Sequence, residues 1–255
     1  MPVTVSDLAI APVKGLRVTP APELEIRETG PVGDRRFVVV DADRRLLRTG
    51  RTPSLLQVAP SWEAGSGVLT LRFPGGEEVA DVPEPGEAVS TRFFDGRPFR
   101  GRLVVGRLSD ALSAHLGRPV HLVALDEATL GADDFPVTLM SLGSLASLGA
   151  ALDGRLPDPR RFRMTITVDG LGAWEEHGWA GREVTLGDVT LRVADPVPRC
   201  VVTTHHPDRG KRDAPVLEAL AALRGKRDVS FGVWCEVIRP GRVHRGDPVA
   251  IPERR

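Results

Sequence analysis

The sequence predicts a mainly β protein with a few helices (α+β), arranged as two β-barrel-like units. Three observations lead there. Twenty-two prolines and 27 glycines cut the 255 residues into short segments, the punctuation of a strand-rich chain. Several segments alternate apolar and polar residues, as half-buried strands do. Helical spacing is confined to a few short stretches. The length allows one large domain or two modest ones. A soft boundary near residue 119 divides the chain into 1–119 and 120–255.

In the first unit, Val3 to Ile10 and Arg36 to Asp41 read as strands. Asp41-Ala42-Asp43-Arg44 turns into Arg45 to Thr49, an expected hairpin. Val68 to Phe73 alternates and ends at Pro74-Gly75-Gly76. Segment 77–90 is acidic and proline-rich, an expected surface excursion. Ser109 to Leu116 reads as a helix with Ser109 as N-cap and Gly117 as its stop. In the second unit, Val137 to Met140 is a short apolar stretch. Ser144 to Leu152 places Leu145, Leu148 and Leu152 on one helical face. Arg163 to Val168 alternates, with Met164, Ile166 and Val168 on one side. Glu183 to Leu186 and Val189 to Val193 flank Gly187-Asp188, a hairpin turn. A helix runs from Asp213, its expected N-cap, through Pro215 to about Leu223. Phe231 to Ile238 and Val249 to Ile251 close the chain around Arg239-Pro240-Gly241.

Charge excludes some roles. Lys+Arg and Asp+Glu both total 34, so no net field draws the protein to nucleic acid or to an anionic membrane. Only Lys14, Lys211 and Lys226 are lysines; the other cations are arginine, which suits bidentate contacts to phosphate or carboxylate. Two cysteines, Cys200 and Cys235, make no disulfide framework and imply a reducing, cytoplasmic setting. Met1 to Asp7 lacks the features of a signal peptide, and no apolar run approaches a membrane span.

Cys200 carries the chemistry of most interest. It follows Pro196-Val197-Pro198-Arg199, and two prolines in three residues interrupt strand pairing, so Cys200 belongs on or just after an irregular loop. The neighbouring Arg199 favours thiolate over thiol, and a thiolate is the ligand that a soft metal prefers. A buried structural cysteine is the competing reading. Cys235, within Val233-Trp234-Cys235-Glu236-Val237, reads as a core residue. His205 and His206 are adjacent, so in extended backbone they face opposite ways. The chain contains no HxH, HExxH or CxxC, which argues against a zinc site, and no G-x-S-x-G. Ser141 and Ser144 fit helix caps, although the free N–H groups of a helix start also suit a phosphate. Lys14, Arg35 and Arg163 each read singly as solvated surface charge.

Taken together, ordered segments resemble the MOSC family, and within it the proteins with an extra N-terminal β-barrel domain, among them the amidoxime reducing components. Ala11-Pro12-Val13-Lys14-Gly15 looks like the family's "YPVKS". Gly33 to Asp41 looks like "DRxWMVVD", and Thr49 to Leu55 like "TQRxxPxL". Arg161 to Gly170 looks like "RFRPNIVVDG", and Ala173 to Trp179 like "AFEEDxW". Pro198 to Thr204, with Pro207-Asp208 and Gly210, looks like "SRCxxTTVDPxTG". Phe231 to Trp234 and Gly241 to Val249 complete the series. Departures lie at Gly15 and Pro198, where the family often has Ser, and at His205-His206 in place of Val-Asp.

The resemblance implies a molybdenum cofactor, a pterin dithiolene complex whose metal takes one protein thiolate, here Cys200, at the centre of the chemistry. It implies that Lys14, Arg35, Arg163 and Arg199 surround the pterin and its phosphate. Ser141 falls in the family's "LLS" segment behind Asp133-Asp134, and Thr203 and Thr204 match its TT pair. The implied activity is reduction of N-hydroxylated or related N-oxygenated small molecules. Its electrons come from an external donor, ferredoxin-like or a flavin reductase, since Fe–S clusters typically take four cysteines. The alternative is a sulfur carrier or cofactor-handling protein without its own redox turnover.

Overall fold

The computed structural model describes residues 2–127 and 129–251. Strands dominate, with three α-helices, Arg107–Leu116, Leu142–Ala150 and Val216–Arg224, among the described residues. The largest sheet has eight strands, in the order Val249–Ala250, Glu183–Leu186, Val189–Pro198, Ser230–Arg239, Val137–Ser141, Ile166–Asp169, Thr4–Ile10, Thr19–Ala21. Val137–Ser141 and Ile166–Asp169 run parallel. A four-stranded sheet orders Phe37–Asp41, Val120–Leu125, Pro98–Val105 and Glu84–Arg92. Two three-stranded sheets complete the fold, and no sheet closes into a barrel. No helix among the described residues is long and apolar enough to cross a membrane.

The two halves of the chain are interwoven. Thr4–Ile10 pairs with Ile166–Asp169 in the large sheet, while Val120–Leu125 pairs with Phe37–Asp41 and Pro98–Val105. Both strands bury apolar side chains: Val5 and Leu8 reach one core across the register shift between Val5 and Asp7, while Val120 and Leu122 enter one cluster and Val123 and Leu125 another. A separate apolar cluster under the two later helices contains Met140, Leu148, Phe162, Met164, Leu220 and Phe231. Phe162 stacks on Phe231 at 4.0 Å between centroids, and Trp174 meets Phe231 edge-on at 5.7 Å. This cluster supports the turn that follows Phe162 and the strand end before Cys200.

Several expectations need correction. Segment 77–90 is exposed but not a mere excursion: it holds strand Glu78–Asp81 and the start of Glu84–Arg92. Pro85 is tolerated because Glu84–Arg92 is an edge strand. Residues 45–49 form no strand, only the single bridge Val40–Leu46. Ser109 is not an N-cap; Gly106 holds that place, and the Ser109 hydroxyl donates to the Val104 carbonyl at 2.6 Å. Asp213 does not cap the last helix, since Pro215 stands there and Asp213 pairs with Arg161. Short strands Glu23–Arg27, Ala59–Trp62 and Gly241–His244 add to those expected.

Two predictions follow from the packing. Gly210 has φ +66°, and a β-carbon there would lie 2.2 Å from the Pro53 carbonyl oxygen. Gly210→Ala should lower unfolding free energy by about 2 kcal/mol or more, as read by urea denaturation. His177 packs against Trp174 at 5.5 Å and neither ring nitrogen has a partner. Burial first, then the nearby Arg224, pushes its pKa from 6.5 down to about 4. The unfolded chain therefore takes up this proton before the folded one, and stability falls as pH drops from about 6.5 through about 4. His177→Phe should remove that part of the decline in melting temperature; superimposable pH profiles for the two proteins would reject the assignment.

Candidate functional site

Prolines shape the approach to Cys200. The strand Val189–Pro198 slips register between Val193 and Pro196 and again between Pro196 and Pro198, where proline has no N–H to give. The chain then leaves the sheet, and Cys200 takes the N-cap position of the turn Val201–Thr204 with an exposed side chain. This exposure rules out the buried-cysteine reading for Cys200, whereas Cys235 lies fully buried in the large-sheet core, its thiol pKa pushed up by that burial. Thr203 and Thr204 tie the turn down. The Thr203 hydroxyl donates to the Cys200 carbonyl at 3.0 Å and the Thr204 hydroxyl to the Val201 carbonyl at 2.7 Å. Both threonines are buried and shape the loop from below.

Four cations singled out in the sequence gather around this loop. Arg199 donates to the Phe231 carbonyl through Nε at 2.9 Å, to the Phe162 carbonyl through Nη1 at 3.0 Å, and to Met164 Sδ through Nη2. Arg163 follows the turn Pro159–Phe162 in left-handed backbone, φ +55°, and donates to the Leu16 carbonyl at 2.5 Å. Lys14 Nζ donates to the Gly131 carbonyl at 2.9 Å and to Asp133 Oδ1 at 2.6 Å. Arg35, also left-handed at φ +48°, pairs with Asp34. Their charges act on one another: Arg35 and Cys200 both bear on Arg163 and on Arg199, and Arg35 and Arg163 bear on Lys14.

In Arg35 burial is outweighed by the charges of Asp34 and Asp133, and its pKa is raised; in the other three cations burial dominates the titration. It pushes Arg163 down to about 10 and Arg199 to about 9, with the Cys200 charge opposing in both cases. Burial also lowers Lys14, against the pull of Asp133. Arg163 and Arg199 still carry charge at neutral pH, and in all four cations face the carboxylates of Asp34 and Asp133. Sequence reasoning did not single out Asp34, whose Oδ1 accepts the Ala11 N–H at 2.7 Å and fixes the turn beside Lys14. The surplus positive charge suits an anion beside an exposed thiol. Among the described residues no group of three or more His, Cys, Asp and Glu could hold a metal ion. A metal here would need most of its ligands from a group bound with it. A cleft of about 460 Å³ opens beside Asp34, Arg35, Trp62 and Gly131.

Other sequence candidates sit differently. Ser141 is fully buried and caps helix Leu142–Ala150, its hydroxyl accepting the Ser144 N–H at 3.0 Å and lying 3.0 Å from Glu176 Oε2. Glu176, missed in the sequence, also accepts from the Ser144 hydroxyl at 2.8 Å. The cap reading of Ser141 thus has a partner in place. Gly15 has φ +92°, and a β-carbon would meet Thr49 Oγ1 at 2.9 Å, so a serine there would be strained. His205 is buried with its ring against the Val201 carbonyl at 2.9 Å, while the His206 ring accepts the Asp208 N–H at 3.1 Å.

Residues 126–250 match the MOSC domain and residues 2–93 the MOSC N-terminal beta barrel domain. The chain is 34% identical to mitochondrial amidoxime-reducing component 1 of Mus musculus, covering 97% of this chain and 82% of that protein. It is 28% identical to mitochondrial amidoxime reducing component 2 of Rattus norvegicus, covering 96% and 82%. It is also 22% identical to the molybdenum cofactor sulfurase of Homo sapiens, covering 91% of this chain but only 30% of that longer protein. The chain belongs to the MOSC family, in the form that carries an N-terminal MOSC β-barrel domain.

Proposed function

We propose that this protein holds a molybdenum-pterin cofactor through Cys200 and reduces N-hydroxylated or related N-oxygenated small molecules. One observation carries the reading: an exposed thiol beside four cations that outnumber the carboxylates among them. The donor set fits the group, because a soft thiolate suits the metal and the cations suit an anionic pterin phosphate. When bound, the cofactor supplies two-electron removal of oxygen, so that N–OH, two electrons and two protons give N–H and water. Cys200 Sγ would be the protein ligand. Lys14, Arg35 and Arg163 would hold the phosphate and pterin. Arg199, fixed to the Phe162 and Phe231 carbonyls, orients the Cys200 loop, and Thr203 and Thr204 keep its turn rigid. The relatives named as amidoxime reducing components support this substrate class. The chain's two cysteines fall short of the four that an Fe–S cluster typically takes, so electrons are drawn from a separate protein.

A second reading has its own support in the exposure of Cys200 and the sulfurase relative: a persulfide carried on Cys200 without redox turnover. Expression in a host that makes the cofactor separates the two. The first reading expects stoichiometric molybdenum in the purified protein, lost in Cys200→Ala, with amidoxime reduction abolished and circular dichroism unchanged. Molybdenum-free protein would overturn it. A mass gain of about 32 Da on Cys200, one sulfur atom, without amidoxime reduction would establish the second. Within the first reading, Arg163→Ala should cut cofactor occupancy without removing the thiolate ligand, as metal analysis reads.

A further inference from the structure

A second cationic feature lies outside the Cys200 cluster. A groove of about 420 Å³ is lined by Arg51, Arg118, Arg209 and Lys211, with no carboxylate among its lining residues. All four side chains belong to exposed residues. Arg51 and Lys211 have no ion-pair partner among the described residues, Arg118 only donates to Thr52 Oγ1 at 3.0 Å, and Arg209 is 3.6 Å from Asp213. In a chain with no net charge, such a run is a local field, not a share of a general one.

The groove adjoins the Cys200 loop. One wall is the segment 51–54 and another is 209–211, which follows the turn Val201–Thr204 after residues 205–208. Gly50 packs on Val201, where a β-carbon would meet Val201 Cγ1 at 2.9 Å, and Gly210 packs on the Pro53 carbonyl. A protein seated on these walls would therefore lie beside the turn that Cys200 opens. Exposed, dispersed cations steer a large acidic surface over distance, and they lack the desolvated grip that a small anion needs.

Resting on the reductase reading above, we propose that this groove docks the electron donor, a small acidic one-electron carrier protein. The donor gives up two electrons in successive encounters, matching the two consumed per N–OH reduced.

The test uses the full-length, molybdenum-loaded protein with an aryl amidoxime and two reductants, an acidic [2Fe–2S] ferredoxin and reduced methyl viologen. The double variant Arg118→Glu/Lys211→Glu should lose about tenfold or more of the ferredoxin-driven rate, a steering effect, and keep the viologen-driven rate. The parent's ferredoxin-driven rate should also fall with added salt, and the variant's should not. The single variant Lys211→Glu, at a side chain without an ion-pair partner among the described residues, should show a smaller loss and serves if the double variant does not fold. The docking proposal is overturned if charge reversal leaves the ferredoxin-driven rate unchanged, or if ferredoxin fails to reduce a parent that viologen does reduce. Inhibition by inorganic phosphate at constant ionic strength would instead make the groove a small-anion site and overturn it too. A parent that turns over with neither reductant overturns the reductase reading itself.

Discussion

Burying several like charges near one another is costly unless polar groups hold them, and the site is organised around that cost. Backbone carbonyls do most of the holding. Arg199 takes those of Phe162 and Phe231, Arg163 that of Leu16, and Lys14 that of Gly131. A carbonyl satisfies an N–H without cancelling the charge behind it. The two carboxylates in the group, Asp34 and Asp133, neutralise only part, and Asp133 is itself largely solvated, at 72% side-chain exposure. The positive potential at Cys200 survives folding for this reason. Two of these bonds also cross between the halves of the chain, from Lys14 to Gly131 and from Arg163 to Leu16. The site therefore depends on the seam between the two sheet systems, not on either alone.

The backbone around the seam is held in conformations that few residues choose. Arg35 and Arg163 occupy left-handed backbone without being glycine, and Gly15 lies at φ +92° beside Lys14. Each left-handed arginine costs on the order of 1 kcal/mol. Neighbouring bonds enforce them: the Arg35 N–H is tied to the Ala11 carbonyl at 2.8 Å and the Arg163 N–H to the Arg160 carbonyl at 3.2 Å. The same turns aim both side chains into the cluster. Small strains at the turns thus fix long side chains in advance of any ligand, and less ordering remains to oppose binding.

Local signals were legible and long-range ones were not. The strand at Phe37–Asp41, the turn at Gly187-Asp188 and the αL stop at Gly117 depend on residues within a few positions, and a run of apolar β-branched residues or a glycine marks each. Ser109 and Asp213 have the chemistry of caps but were taken by distant or tertiary partners, Val104 and Arg161. Glu84–Arg92 shows most of its side chains to water, so its strand character comes from the neighbouring strand Pro98–Val105 and not from its own pattern. For the site, each cation alone was indistinguishable from surface charge. What gathers them is packing between residues more than a hundred positions apart. Only ordered resemblance along the whole chain could point at the set, and it could not supply Asp34 or Glu176 as partners.

Overall neutrality and two positive regions are compatible because the balancing carboxylates lie elsewhere in the chain, several of them paired locally. Asp208 lies between Arg17 and Arg160, Asp158 pairs with Arg160, Asp213 with Arg161, and Asp228 with Arg224. These pairs leave little field beyond their own contacts. The two positive regions differ in form. Around Cys200 the charge is half-buried, convergent and mostly carbonyl-held, which suits a tightly kept anion. Along Arg51, Arg118 and Lys211 it is exposed and dispersed, which suits an encounter that must also end. The loop from Cys200 to Lys211 joins the two, so a slow, permanent binding event and a fast, repeated one can share a wall without sharing a site.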